Sequence, residues 1–168
     1  MILDSEVLVG IATLGLTLTG FSGLVAIMGK RGSGQWTGGE RVQFIELAVI
    51  SLTVTFSAFV PIVVSLEFSG DMSHRVSLGI ITAAHLGCLV RGLSTVLKTP
   101  DARVEYAPGV IFFMIAGGVL IIGASLLAVF GFLDSYALLI LLNLLWLLFV
   151  AVVNFVQLLT NSSYMDDA

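Results

Sequence analysis

The sequence predicts an all-α integral membrane protein: one bundle of five transmembrane helices with short loops, N-terminus outside and C-terminus in the cytoplasm. Three observations predict it. The first is five long runs with almost no charge. Runs 7–29, 107–133 and 135–165 contain no Asp, Glu, Lys or Arg, 42–66 contains only Glu46, and 76–97 only Arg91. A helix needs ~20 apolar residues to cross a ~30 Å hydrocarbon core, and each run is long enough. The second is composition: 58% hydrophobic and 11% charged residues with a mean hydropathy of +1.10 leave no room for a soluble domain of any size. The third is the placement of basic residues. With the N-terminus outside, Lys30, Arg31, Arg41, Lys98 and Arg103 fall in cytoplasmic loops and Arg91 near the same side, six of seven in all. Only Arg75 falls outside, which is the asymmetry the positive-inside rule describes. The localisation expected is a bacterial inner membrane, with the lipid bilayer as the first partner.

The spans are expected at about 6–29, 42–67, 75–98, 108–131 and 135–160, the whole of 1–168 forming a single bundle. Closed barrels would show short alternating segments, whereas these runs are apolar on all sides. The first span follows residues 1–6, which hold two acids (Asp4, Glu6) and no Lys or Arg. That is the wrong charge for a signal peptide, and the apolar stretch is too long for one. Small residues form two stripes on this span, Gly10, Thr13, Thr17 and Gly20 on one side and Ala12, Gly15, Thr19, Gly23 and Ala26 on the other. Small side chains let helices approach closely, so the first span is expected to pack on both sides.

The loop at 29–41 is glycine-rich and holds Trp36, but its spacing fits neither a P-loop nor a dinucleotide fingerprint. It reads as a linker, and as a surface on which an unidentified protein partner could dock. Thr37 and Glu40 have the spacing of a capping box at the start of span two. On that span Glu46, Thr53 and Ser57 share an arc, with Pro61 a turn further and a kink expected there. In span three His85 lies near the midplane with Ser77, Cys88, Gly92 and Thr95 on or near its face. Thr99–Pro100–Asp101 ends this span, and Pro108 suits the first turn of the next. Span four carries no charge and reads as packing alone. Gly131, Asp134 and Ser135 read as a helix stop followed by an N-cap, which separates spans four and five. Tyr106, Tyr136 and Tyr164 fall near helix ends, as an aromatic belt requires.

Polar groups at membrane depth are where function concentrates. On span five Asn143, Trp146, Val150, Asn154, Gln157 and Asn161 lie within an arc of about 80°, while the other faces are greasy. Such a face either lines a hydrated path or joins helices by hydrogen bonds. Candidate permeation or polar-interface residues are therefore Asn143, Asn154, Gln157, Thr13, Thr17, Thr53 and Ser57. The candidate protonatable residues are His85 and Glu46, and Glu46 with Arg91 is a candidate ion pair between neighbouring spans.

No catalytic residues, metal ligands or cofactor are expected. Cys88 is the single cysteine, His74 lies ~16 Å along the helix from His85 and cannot share a haem with it, and no intramembrane lysine exists for a Schiff base. No HExxH motif or carboxylate cluster occurs, and a net charge of −4 gives no support to nucleic-acid binding. The expectation is a protein that is not an enzyme, a homo-oligomer of channel or pore type for ions or small solutes. The alternative is a membrane-embedded accessory, sensor or effector subunit acting through a protein partner. A third reading is a small proton-coupled transporter working as a dimer. Symmetry discriminates the first two: a channel turns its polar face to the oligomer axis, whereas an accessory subunit satisfies it within the chain.

Overall fold

The computed structural model of the chain describes residues 4–32, 38–98 and 108–163, the side chains of 26–32, 38–40, 108 and 161–163 excepted. Five helices make up this part: α1 (Ser5–Gly32), α2 (Gly38–Glu67), α3 (Asp71–Lys98), α4 (Pro108–Val129) and α5 (Tyr136–Ser163). There is no strand among the described residues. Each helix is long and apolar enough to cross a membrane. Trp36, Thr37, Thr99, Pro100, Asp101, Arg103, Tyr106 and Tyr164 lie outside the described residues, as do the side chains of Glu40 and Asn161.

Local chemistry explains where the helices begin and end. Asp4 caps α1, its Oδ1 accepting from the Glu6 N–H at 3.0 Å. Gly131 stands at φ +86°, with its N–H on the Ala128 carbonyl and the Phe132 N–H on the Leu127 carbonyl, each at 2.9 Å. That is a Schellman ending, for which a left-handed glycine is the natural residue. The Ser135 carbonyl accepts the Leu139 N–H at 3.1 Å, so Ser135 is the N-cap of α5 and the expected stop between the last two helices holds. Gly70, at φ +63°, makes the other short turn. It lets α3 start at Asp71, a turn earlier than expected, with an acidic residue in the first turn where the helix dipole favours one. α2 continues through Pro61 to Glu67.

The side-chain contacts fix the alternating directions of α2, α3, α4 and α5. Thr53 meets Cys88 and Glu46 meets Arg91, so α2 and α3 run antiparallel. Gly118 lies against His85 and Gly131 against Arg75, so α3 and α4 do too. Arg75 reaches Tyr136 and His85 reaches Asn143, so α3 and α5 run parallel. One end of the bundle therefore holds Lys98, the start of α4 and the end of α5. The other holds Arg75 and the turn between α4 and α5. We call them the Lys98 end and the Arg75 end.

α2 and α5 are the most buried helices. Leu47, Val54, Ala58, Leu78, Ile81, Ile140, Leu144 and Ala151 lose all their exposure in the core. α1 packs against α2 so closely that a β-carbon on Gly15 would stand 2.9 Å from the Ser51 carbonyl and 2.7 Å from Thr55 Oγ1. Its other stripe is open, with nothing within 4 Å of a β-carbon on Gly10 or Gly20. Large apolar side chains cover the outside of every helix, with Leu66 83%, Phe112 75%, Phe132 75% and Phe56 70% exposed. An apolar exterior of that extent is unusual for a protein surface in water.

Candidate functional site: a polar thread and a one-sided cavity

Two carbonyls set the direction of a chain of hydrogen bonds through the middle of the bundle. Ser125 Oγ donates to the Ile121 carbonyl at 2.8 Å, which uses its one proton. It must therefore accept from its other neighbour, Asn143 Nδ2, at 2.8 Å. Asn143 Nδ2 also donates to the Leu139 carbonyl at 2.8 Å, and a carbonyl can only accept. The opposite amide orientation would set two oxygens against each other, so Asn143 Oδ1 faces His85 Nδ1, 2.7 Å away. His85 Nδ1 then carries a proton, and when the ring is neutral Nε2 keeps its lone pair. The thread joins α3, α4 and α5 and is buried throughout: Ser125 and Asn143 have no exposure, His85 2%.

His85 Nε2 makes no hydrogen bond among the described residues. It points at α4, 3.4 Å from where a β-carbon on Gly118 would stand, and Trp146 Nε1 lies 3.6 Å from the same point. A β-carbon on Gly117 would overlap the Trp146 ring. Adjacent glycines thus let the indole lie flat against α4. Phe113 and Phe149 complete an aromatic cluster around it, with ring centroids 5.3 and 5.5 Å from Trp146.

From His85 a cavity of about 110 Å³ runs between α2, α3, α4 and α5 towards the Lys98 end. Its walls are mainly Leu, Ile, Val and Met, interrupted by His85, Cys88, Trp146, Asn154, Thr95 and Glu46. Leu93 lines it and is 41% exposed, so the cavity reaches the outer surface beside α3. On the Arg75 side of His85 the core is closed by fully buried Leu78, Ile81 and Ile140.

Glu46 stands on the α2 wall of the cavity. Its Oε1 accepts from Arg91 Nε at 3.1 Å and competes for the single proton of Thr95 Oγ1, 3.2 Å away, with the Arg91 carbonyl at 3.0 Å. Its Oε2 is buried with no hydrogen-bond partner among the described residues. The ion pair expected between neighbouring helices is present, and Arg91 keeps half its side chain exposed at the outer surface. At the Arg75 end, Arg75 Nε donates to Tyr136 Oη at 2.8 Å, and its guanidinium lies 5.4 Å from the centre of that ring. Tyr136 is accordingly buried rather than set in an outward-facing belt.

The other candidates fall in different places. Asn154 is buried on the cavity wall. Gln157 is half-buried, with its Oε1 lacking a partner among the described residues. Thr53 and Ser57 line a groove between α2 and α3, where Thr53 Oγ1 donates to the Val49 carbonyl at 2.8 Å and accepts from Cys88 Sγ at 3.5 Å. Thr13 and Thr17 face outward, each hydroxyl turned back onto its own helix, at 2.8 Å to the Val9 carbonyl and 2.7 Å to the Thr13 carbonyl. A hydroxyl bonded to the carbonyl four residues back can face lipid without an orphaned proton.

The expectation for α4 also needs correction. α4 is not packing alone, because Ser125 anchors the thread and Gly117 and Gly118 shape the space beside Trp146 and His85. The signal lay in a lone serine on an otherwise apolar helix, and in paired glycines in mid-run. Among the described residues no three His, Cys, Asp or Glu side chains form a group that could hold a metal. No known protein family, curated protein or solved structure matches the chain.

Proposed function

We propose that the chain is an integral membrane protein, N-out/C-in, acting as a membrane-embedded sensor or accessory subunit through a protein partner. Insertion is supported by the five apolar helices and their greasy exterior. Orientation is supported by the basic residues: Arg41, Arg91 and Lys98 lie towards one end of the bundle and Arg75 at the other. A bacterial inner membrane suits this charge asymmetry. The observation that carries the sensor reading is the cavity beside His85, open to one side and closed by apolar core on the other. Such a half-open cavity supports the sensor reading. In addition, Asn143, the deepest amide of the α5 face, uses its hydrogen-bonding groups within the chain. The expected 29–41 loop is shorter, because α1 runs to Gly32 and α2 starts at Gly38; the connection between these two helices, cytoplasmic in this orientation, is the surface offered to the partner.

A second reading, a homo-oligomeric channel, is favoured by α1. Thr13 and Thr17 face outward beside Gly10 and Gly20, which leave room for another copy to approach. Imaging of the purified protein in lipid nanodiscs, paired with ion flux into liposomes, separates the two. The sensor reading expects a monomer, or an oligomer with an apolar axis, and no flux. A ring with hydroxyls or amides around a wettable axis, together with flux, overturns it.

A further inference from the structure

We propose that the cavity binds a short aliphatic alcohol: one hydroxyl seated between His85 Nε2 and Trp146 Nε1, and a tail of about three carbons along the apolar wall. This deepens the sensor reading and rests on it for the meaning of binding, though not for its measurement.

Hydrogen-bond capacity on the wall calls for a single hydroxyl. The thread through Asn143 leaves Nε2 of the neutral His85 ring as an acceptor without a partner among the described residues. Trp146 Nε1 is a donor that makes no hydrogen bond among them either. The two nitrogens stand 3.4 and 3.6 Å from one point, the place a β-carbon on Gly118 would take, and Leu89 Cδ1 lies 3.6 Å from it. His85, Leu89 and Trp146 all line the cavity. A hydroxyl both donates and accepts, so one oxygen lodged beside that point meets both nitrogens. Buried groups of these kinds ordinarily have partners. The other polar groups on the wall are committed. Glu46 Oε2 is fully enclosed and offers nothing to the cavity. The Thr95 proton is taken by Glu46 or the Arg91 carbonyl, Cys88 Sγ donates to Thr53, and Asn154 is engaged too.

Volume and walls set the rest of the ligand. The cavity, at about 110 Å³, is smaller than the ~150 Å³ that holds benzene in a protein core. At ~30 Å³ for each water-sized group it admits about four non-hydrogen atoms, of which the hydroxyl oxygen is one. The others lie against Leu89, Ile111, Met114 and Ile115. Water is a poor occupant of that part, because a buried water needs about two to four polar neighbours. The opening beside Leu93 faces lipid in the proposed orientation, which favours an uncharged ligand that partitions there.

The test is carbon-to-nitrogen dipolar transfer in solid-state spectra of the full chain in liposomes, frozen after equilibration with a probe. The protein carries nitrogen-15 histidine and His74→Gln, which leaves His85 as the one labelled ring. The probes are 1-propanol and 1-chloropropane, each carbon-13 labelled at the carbon that bears oxygen or chlorine. The expected result is saturable transfer from 1-propanol to Nε2. At equal membrane concentrations, 1-chloropropane should need about ten times more to half-saturate, because chlorine brings no donor and leaves the buried acceptor unpaired. Two substitutions supply the location. Gly118→Ala sets a methyl in ordinary contact with both nitrogens, where the hydroxyl would sit. Gly92→Leu fills the apolar part, since Gly92 lines the cavity and nothing stands within 4 Å of a β-carbon there. Transfer from 1-propanol should vanish in each. Equal half-saturation by the two probes overturns the proposal in favour of an apolar cavity only. No saturable transfer, as expected if water alone enters, overturns it too, and so does transfer that survives either substitution. None of these outcomes alters the symmetry and flux results, so the ligand can fail while the sensor reading stands.

Discussion

Asn143→Leu tests the thread at its centre. The substitution keeps an apolar side chain of similar size on α5 and removes two interhelical hydrogen bonds, to His85 and to Ser125. Contacts of this kind in membrane bundles are worth ~0.6 kcal/mol each on average and up to ~1.7. The expected loss of stability is therefore about 1–3 kcal/mol, modest for so deep a site. The cost stays modest because both partners have an escape. Ser125 keeps its bond to the Ile121 carbonyl, and His85 can move its proton from Nδ1 to Nε2. That shift is the sharper readout. Nitrogen-15 spectra of histidine-labelled protein in alkaline buffer, with a His74→Gln variant to assign the two rings, distinguish the tautomers. The native chain should show Nδ1 protonated and Asn143→Leu should show Nε2 protonated. An Nε2-protonated ring in the native chain would refute the direction assigned to every bond in the thread.

The remaining predictions use geometry at single positions. Gly117→Ala drives a methyl into the Trp146 ring and should cost about 1–3 kcal/mol by thermal unfolding in micelles, with a shift in tryptophan emission. Gly10→Ala, facing open space, should leave unfolding unchanged; in a homo-oligomer built on α1 it should weaken association, read by cross-linking. Arg91→Ala should destabilise more than Glu46→Gln, because it leaves a buried carboxylate without its cation, and the double variant should recover part of the loss. Gly131→Ala, at φ +86°, should cost about 1 kcal/mol through its backbone alone.

Element positions were legible because length and caps are local. The Gly131 stop and the Ser135 cap lie within one five-residue stretch, and the structure ends and starts helices around them. Glu46 and Arg91 could be paired in advance because each is the lone charge of its run, in the same half of neighbouring helices. His85 and Asn143 could each be singled out but not joined. Which helices touch, and at what rotation, is not written in runs that are apolar on every side. Span five showed its amide face against a greasy background, yet α3 and α4 had no comparable stripe to say which side would meet it. Ser125 was overlooked for the same reason: one hydroxyl that can bond its own helix carries no direction until a partner is placed.

Between α3 and α4 the two ends of the bundle are held by different means, although at the Lys98 end Glu46 still ties α2 to α3 through Arg91. Towards the Arg75 end, directional bonds fix α3, α4 and α5: Arg75 to Tyr136, His85 to Asn143, Asn143 to Ser125. Hydrogen bonds tolerate little displacement, so this half resists change. Towards the Lys98 end, α3 and the first turns of α4 face each other across the cavity, through Leu89, Leu93, Ile111 and Met114. Apolar contacts have no preferred direction and can slide. A group entering beside His85 would therefore leave the thread in place and spread the start of α4 from α3.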